Sequence, residues 1–194
     1  MRKIVKRFIW AFILIIFFVF AVGLFQSQVI NKQKTEKELE RIKNTKLTLD
    51  DVLGTNLPPK PDEEKNNSTI AGIDANKNSI RDDVELAIFE KYPNSAKKRA
   101  PLLQYAQALQ VEMTLEVLNE ELVTAVAKST GRAYLCFSFV ENNDFSLQEF
   151  VELKHLNTEK RVKFQEEMFN KYLREVGITP SDNSCDIDLD TLPN

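Results

Sequence analysis

An unbroken apolar run from Phe8 to Phe25 constrains this chain more than any other feature. Its 18 residues, at a helical rise of 1.5 Å each, span about 27 Å, close to the hydrocarbon thickness of a bilayer. Arg2, Lys3, Lys6 and Arg7 precede it directly, with no acidic residue among them. Two readings compete, a cleaved signal peptide and a retained anchor. Ala21-Val-Gly23 offers a small-x-small cleavage site, but the run exceeds the usual signal core and continues apolar beyond it. No Cys comes after the run to take a lipid. A retained single-pass anchor fits better, and both readings export the rest of the chain. Lys32, Lys34 and Lys37 soften the charge contrast across the run, yet the four leading cations place the N-terminus in the cytoplasm and residues 31–194 outside.

Composition then bounds the exported part. Without the four leading cations, 22 Lys and Arg stand against 29 Asp and Glu, a net charge of −7. An acidic surface argues against nucleic acid as partner, because phosphate binding needs a basic patch. The one dense basic cluster outside the anchor, Lys97-Lys98-Arg99, reads as a solvated helix turn. Residues 1–30 are thus expected as anchor or uncleaved signal, 31–69 as charged stalk and Pro/Asn-rich linker, and 70–194 as the folded domain. Residues 31–46 alternate charge at helical spacing with only Leu39 and Ile42 apolar, which suits a solvated stalk helix or a spacer. Leu47 to Leu53 suggests a helical turn or two, and Thr55 to Ser68, with Pro58, Pro59 and Pro61, reads as linker.

Chemistry is spelled out in one place, Asp74-Ala-Asn76-Lys-Asn78-Ser-Ile80-Arg-Asp82-Asp83-Val-Glu85. Oxygen-bearing side chains fall at loop positions 1, 3, 5, 9 and 12, the spacing with which a short loop wraps Ca²⁺. Asp74 would open the sphere, Asn76 and Asn78 would lend amide oxygens, and Ile80 its backbone carbonyl. Asp82 would act through water, and Glu85 would close the site with both oxygens. Over these dozen residues the chain resembles the calcium loops of EF-hand, dockerin and thrombospondin type 3 repeats. Ile80 followed by Arg-Asp-Asp-Val-Glu is most similar to the bacterial thrombospondin-like variant.

The loop departs from that pattern twice. Position six usually takes Gly because its φ is positive; here it is Ser79, at a cost of about 1 kcal/mol. Asn at both inner positions lowers the ligand charge, which implies a weak site with a Kd on the order of 10⁻⁴ to 10⁻³ M. Asn66 to Gly72 is a poor helix former, so a lone loop with an exiting helix is expected rather than a full helix–loop–helix hand. The competing reading is a metal-free turn, with Asp82, Asp83 and Glu85 in the first turn of a helix, where negative charge suits the dipole. It explains each residue singly and their joint spacing less well.

Beyond the loop the period is helical. Val84, Ala87 and Ile88 begin a helix that must end near Tyr92-Pro93. Pro101 can open the next, which carries two apolar stripes, Leu102, Ala106, Leu109 and Met113 against Ala108, Val111, Leu115, Leu118 and Leu122. Two stripes mark the central helix of a bundle, expected to run toward Lys128 and stop before Gly131. Ala133 to Val140 fits either a buried strand or a buried helix, and a lone strand would lack a partner. Ser146-Leu-Gln-Glu149 is a capping box, and Asn157 or Thr158 caps a last helix with Val162, Gln165, Phe169, Tyr172 and Val176 on one face. Gly177 and Pro180 come next as stop signals. The fold class expected is all-α: a single transmembrane helix, a linker, then a four- to five-helix bundle preceded by the calcium loop.

Cys136 and Cys185 would close one disulfide in an oxidising compartment and pin the acidic tail; the alternative is two unrelated buried thiols. His155 is the only histidine, which removes metal clusters needing two, and it suits a helix C-terminus as a partial positive charge. Carboxylate neighbours such as Glu120-Glu121 and Glu166-Glu167 point apart on their helices, and five glycines leave little room for a phosphate loop. Two function classes remain. One is a membrane-tethered extracytoplasmic module with structural Ca²⁺, binding protein or a cell-envelope polymer. The alternative is an envelope hydrolase whose catalytic carboxylates are hidden among ordinary ones.

Overall fold

The computed structural model describes residues 2–115, 119–137, 146–173 and 184–194. Among them all regular structure is helical: α1 (Arg2–Asn44), α2 (Leu49–Leu53), α3 (Glu63–Ser68), α4 (Asp82–Lys91), α5 (Ala96–Met113), α6 (Glu120–Phe137), α7 (Ser146–His155) and α8 (Glu159–Met168). A π-helical turn, Phe169–Leu173, extends α8, and a 3₁₀ turn, Leu189–Thr191, lies in the tail.

The apolar segment and the charged stretch after it form one helix of 43 residues. From Phe12 to Phe25 its side chains are all exposed. Its length and apolarity make it a candidate membrane span. The stalk end, by contrast, is not simply solvated. Thr35, Glu38 and Ile42 are buried, and Ile42 packs with Val111, Leu122 and Val126 in a small cluster joining α1, α5 and α6. Arg41 reaches Thr114 at the end of α5, and Asn119 donates to the Thr35 hydroxyl at 2.8 Å.

Helix α5 is the centre of the bundle. Sixteen of its 18 residues are buried, and it touches α2, α4, α6 and α7. Its start and end differ from those read from the sequence. Ser95 caps it, accepting from the Lys98 amide, so Pro101 lies inside the helix rather than at its opening. It stops at Thr114, whose hydroxyl bonds back to the Gln110 and Val111 carbonyls, and α6 restarts behind Asn119, whose side chain accepts from the Leu122 amide. Gly131 does not end α6, which runs on to Phe137 and carries Ala133, Cys136 and Phe137 inward. That answers the strand-or-helix question for residues 133–137; residues 138–140 lie outside the described ones, as do Leu118, Val176, Gly177 and Pro180.

The main core joins α4, α5 and α7 around Ile80, Val84, Ile88, Leu102, Leu103 and Val151, all fully buried. Each such side chain contributes about 1.5–3 kcal/mol by leaving water. The tail packs onto the same core through Leu189 and Leu192. Cys185 is bonded to Cys136 (S–S 2.03 Å), but it is not the tail's only tie. Leu189 and Leu192 are buried, Gln104 holds Ser184 and Asp186 through both ends of its amide, and Arg132 pairs with Asp186 at 2.6 Å.

Three further expectations change. The Thr55–Ser68 linker contains α3, capped by Asp62, and its Pro58 and Asn66 are buried. Arg99 is not solvated: it is buried, donates to the Val52, Tyr92 and Pro93 carbonyls, and lies over the Phe89 ring. On α8, Val162 and Phe169 face solvent while Arg161 and Met168 face inward. The polar partners of Arg161 set that rotation.

Candidate metal centre

The loop Asp74–Glu85 runs from a turn into α4, and Ile80 anchors it by burying its side chain in the main core. Its fold comes from side chains bonding backbone amides. The Asp74 carboxylate accepts from the amides of Asn78 (3.2 Å) and Ser79 (3.0 Å). The Asn78 carbonyl oxygen of the side chain accepts from Ile80 at 2.9 Å, and Asp82 Oδ1 accepts from Ala75 at 2.9 Å. Ser79 sits at φ 63°, the left-handed geometry expected at position six, and Lys77 shares it at φ 60°.

Three of the six sequence-predicted ligands, Asn76, Asn78 and Glu85, meet through side chains. Asn76 Nδ2 donates to Glu85 Oε2 at 3.1 Å and Asn78 Nδ2 to Glu85 Oε1 at 3.0 Å, so position twelve closes over positions three and five. Asp74 and Asp82 hold the loop backbone from either end. Ile80, the sixth, contributes its side chain to the core. Asp82 and Glu85 are buried. Burial raises the Glu85 carboxyl to about 7, with its two Asn donors opposing and Asp51 and Asp82 adding repulsion. Burial raises Asp74 and Asp82 as well. Two oxygens at the site, Asn76 Oδ1 and Asp82 Oδ2, are buried without a hydrogen-bond partner.

The donor set is all oxygen, suited to a hard cation such as Ca²⁺ rather than to zinc. Among the described residues no group of three or more His, Cys, Asp or Glu side chains is gathered as a metal cage. The loop as folded is a carboxylate–amide network in which the two Asn side chains separate the acids. Turning those amides would bring oxygen toward Glu85 in place of nitrogen.

Sequence reasoning missed the residues that fix this loop to the bundle. Arg81, at loop position eight, is fully buried and donates to the Lys154 and His155 carbonyls at the end of α7, to Asn157 and to Asp83. Arg161 is equally buried and gathers the carbonyls of Asn66, Thr69 and Ile70. Between them passes Gly72 at φ 68°, where an added Cβ would collide with Arg81 and stand 2.9 Å from Arg161. His155 therefore does not supply positive charge to its helix end; burial, then Arg81 and Arg161, lower it to about 3, and Arg81 takes that place. No local pattern announces a buried arginine. Its partners are carbonyls that only the tertiary fold assembles.

An enzyme would need a cleft lined by perturbed acids. A cleft of about 860 Å³ does lie between α1, α6 and the tail, lined by Lys43, Lys46, Lys128, Arg132 and Asp186 among others. The acids raised by burial, Asp74, Asp82, Glu85 and Glu112, do not line it. No protein-family model, curated protein or solved structure matches the chain.

Proposed function

We propose that this protein is a membrane-tethered, extracytoplasmic helical module that binds a protein or cell-envelope polymer, with one Ca²⁺ in the Asp74–Glu85 loop acting as a structural fastener. The observation that carries the calcium reading is the buried pair Asp82 and Glu85, with one Asp82 oxygen unpartnered, at the end of a loop whose sixth residue is left-handed. Among the described residues, Asp74, Asp82 and Glu85 form no ion pair that would neutralise them. A divalent cation supplies that charge. The exposed apolar segment of α1 supports the tether, and the Cys136–Cys185 bond supports an oxidising compartment.

The calcium reading is tested by melting the full chain in detergent with chelator and with millimolar Ca²⁺. Calcium should raise the melting temperature of the wild type and leave Glu85→Ala unmoved. Equal response of the two proteins would exclude the loop as the calcium site. Topology is tested separately by adding protease to intact spheroplasts. Loss of a C-terminal epitope with retention of an N-terminal one is expected, and the reverse would invert the orientation.

A further inference from the structure

We propose that Asp51, on α2, is a further ligand of the loop's cation, so that the site is completed from outside the loop. This rests on the calcium reading of Asp74–Glu85. Asn78 Nδ2 donates to Glu85 Oε1 at 3.0 Å and also to Asp51 Oδ1 at 3.3 Å. Two carboxylates thus converge on one amide, although Asp51 and Asn78 are 27 residues apart.

Asp51 is held in that pose. Its Oδ2 accepts from the Thr48 amide at 2.8 Å and hydroxyl at 2.5 Å, the capping box of α2, which leaves Oδ1 for the loop. The helix itself is seated by the fully buried Val52 and by Arg99, which donates to the Val52 carbonyl at 3.0 Å. A second strand of contact runs alongside, from Asn76 Nδ2 to the Asn56 carbonyl at 2.9 Å. Independently, one oxygen of Asp82, which is fully buried, and one of Asn76 have no hydrogen-bond partner, and a positive group there would satisfy both. Arg81 does not provide one, because its guanidinium is taken by Asp83, Asn157 and the α7 carbonyls. Completed by Asp51, the site would fasten the segment after the membrane helix to the start of α4, making calcium a clasp between tether and bundle.

The test is calorimetric Ca²⁺ titration of the full chain in detergent micelles, comparing wild type, Asp51→Asn, Asp50→Asn and Glu85→Ala. Asn keeps an oxygen for the Thr48 amide, so the capping of α2 survives. Asp50 is the exposed neighbour on the same helix and controls for charge alone. Asp51→Asn should weaken binding roughly tenfold, Asp50→Asn should change it little, and Glu85→Ala should abolish it. Melting in chelator should find Asp51→Asn at or above the wild type, since a repulsive charge is gone. If Glu85→Ala binds normally, the calcium reading itself falls. If Glu85→Ala loses binding while Asp51→Asn matches the wild type, or weakens it no more than Asp50→Asn, only the role of Asp51 falls. Should Asp51→Asn melt lower in chelator, Asp51→Glu decides: it keeps the charge, and restored affinity supports a ligand while none overturns it.

Discussion

The guanidinium of Arg81 donates to the carbonyl of His155 at 3.0 Å, joining the eighth residue of the acidic loop to the last residue of α7. The ligands predicted on either side of Arg81, Ile80 and Asp82, are thereby tied to a helix end that is distant in sequence. The loop is thus held to the bundle by its own side chain.

Removing that tie should be costly. Arg81→Ala leaves two helix-end carbonyls and Asp83 without their donor, and a loss of roughly 2–4 kcal/mol is expected in urea denaturation. Arg81→Lys should recover little, because one ammonium cannot serve carbonyls and carboxylate together. A variant as stable as the wild type would show that water satisfies the α7 terminus instead.

Ser79 gives a prediction of opposite sign. At φ 63° this residue is strained, and among the described residues no hydrogen bond of its side chain compensates. Ser79→Gly should stabilise the protein by about 1 kcal/mol, reduced somewhat by the greater freedom of Gly in the unfolded chain. A clear loss of stability would mean that the loop relaxes away from the left-handed turn in solution.

Protonation couples to the loop through Glu85, whose folded pKa of about 7 exceeds its ordinary 4.5. A raised carboxyl binds its proton more tightly when folded, so its contribution is full at low pH and is lost as pH rises toward 7. Glu112 acts in the same direction, and His155, lowered to about 3, acts oppositely below its ordinary 6.5. Asp74 and Asp82, also raised by burial, act in the same direction as Glu85, and Glu85→Gln isolates the Glu85 contribution. Between pH 5 and 8 in chelator, the stability of wild type relative to Glu85→Gln should fall by an amount on the order of 3 kcal/mol. Calcium requires the ionised form, so its affinity should rise over the same interval. A pH-independent difference would mean that Glu85 is ionised throughout.

The disulfide closes a sequence separation of 49 residues. Loop-closure entropy makes this worth about 4 kcal/mol, and Cys136→Ser with Cys185→Ser should lower stability by up to that amount. Because Leu189, Leu192, Gln104 and Arg132 also hold the tail, hydrogen exchange should still protect residues 184–192 in the double variant. Full exchange there would make the disulfide the tail's only anchor.

The sequence was most legible where one local rule decided the outcome. Tyr92-Pro93 ended α4, and Thr158, one of the two caps offered, capped α8. The stripe from Leu102 to Met113 lies on α5, whereas the second outran it, with Leu115 beyond its end and Leu122 on α6. Ser79 is left-handed, as is Lys77 two residues before it. Prediction failed where tertiary partners outweighed the period. The apolar face of α8 should have buried Val162 and Phe169, but Arg161 finds backbone carbonyls of the α3–loop segment and turns the helix inward on its own side. Likewise nothing in the sequence singles out Asp51 until the fold sets it beside Asn78.

Whether Asp74–Glu85 holds calcium is decided most simply by Ca²⁺ titration of the chelator-stripped full chain by calorimetry. Saturable binding of one ion, with a Kd on the order of 10⁻⁴ to 10⁻³ M and lost in Glu85→Ala, is the predicted result. No binding heat and no thermal stabilisation at millimolar calcium would contradict it, and Asp74–Glu85 would then be an ion-free turn that starts α4.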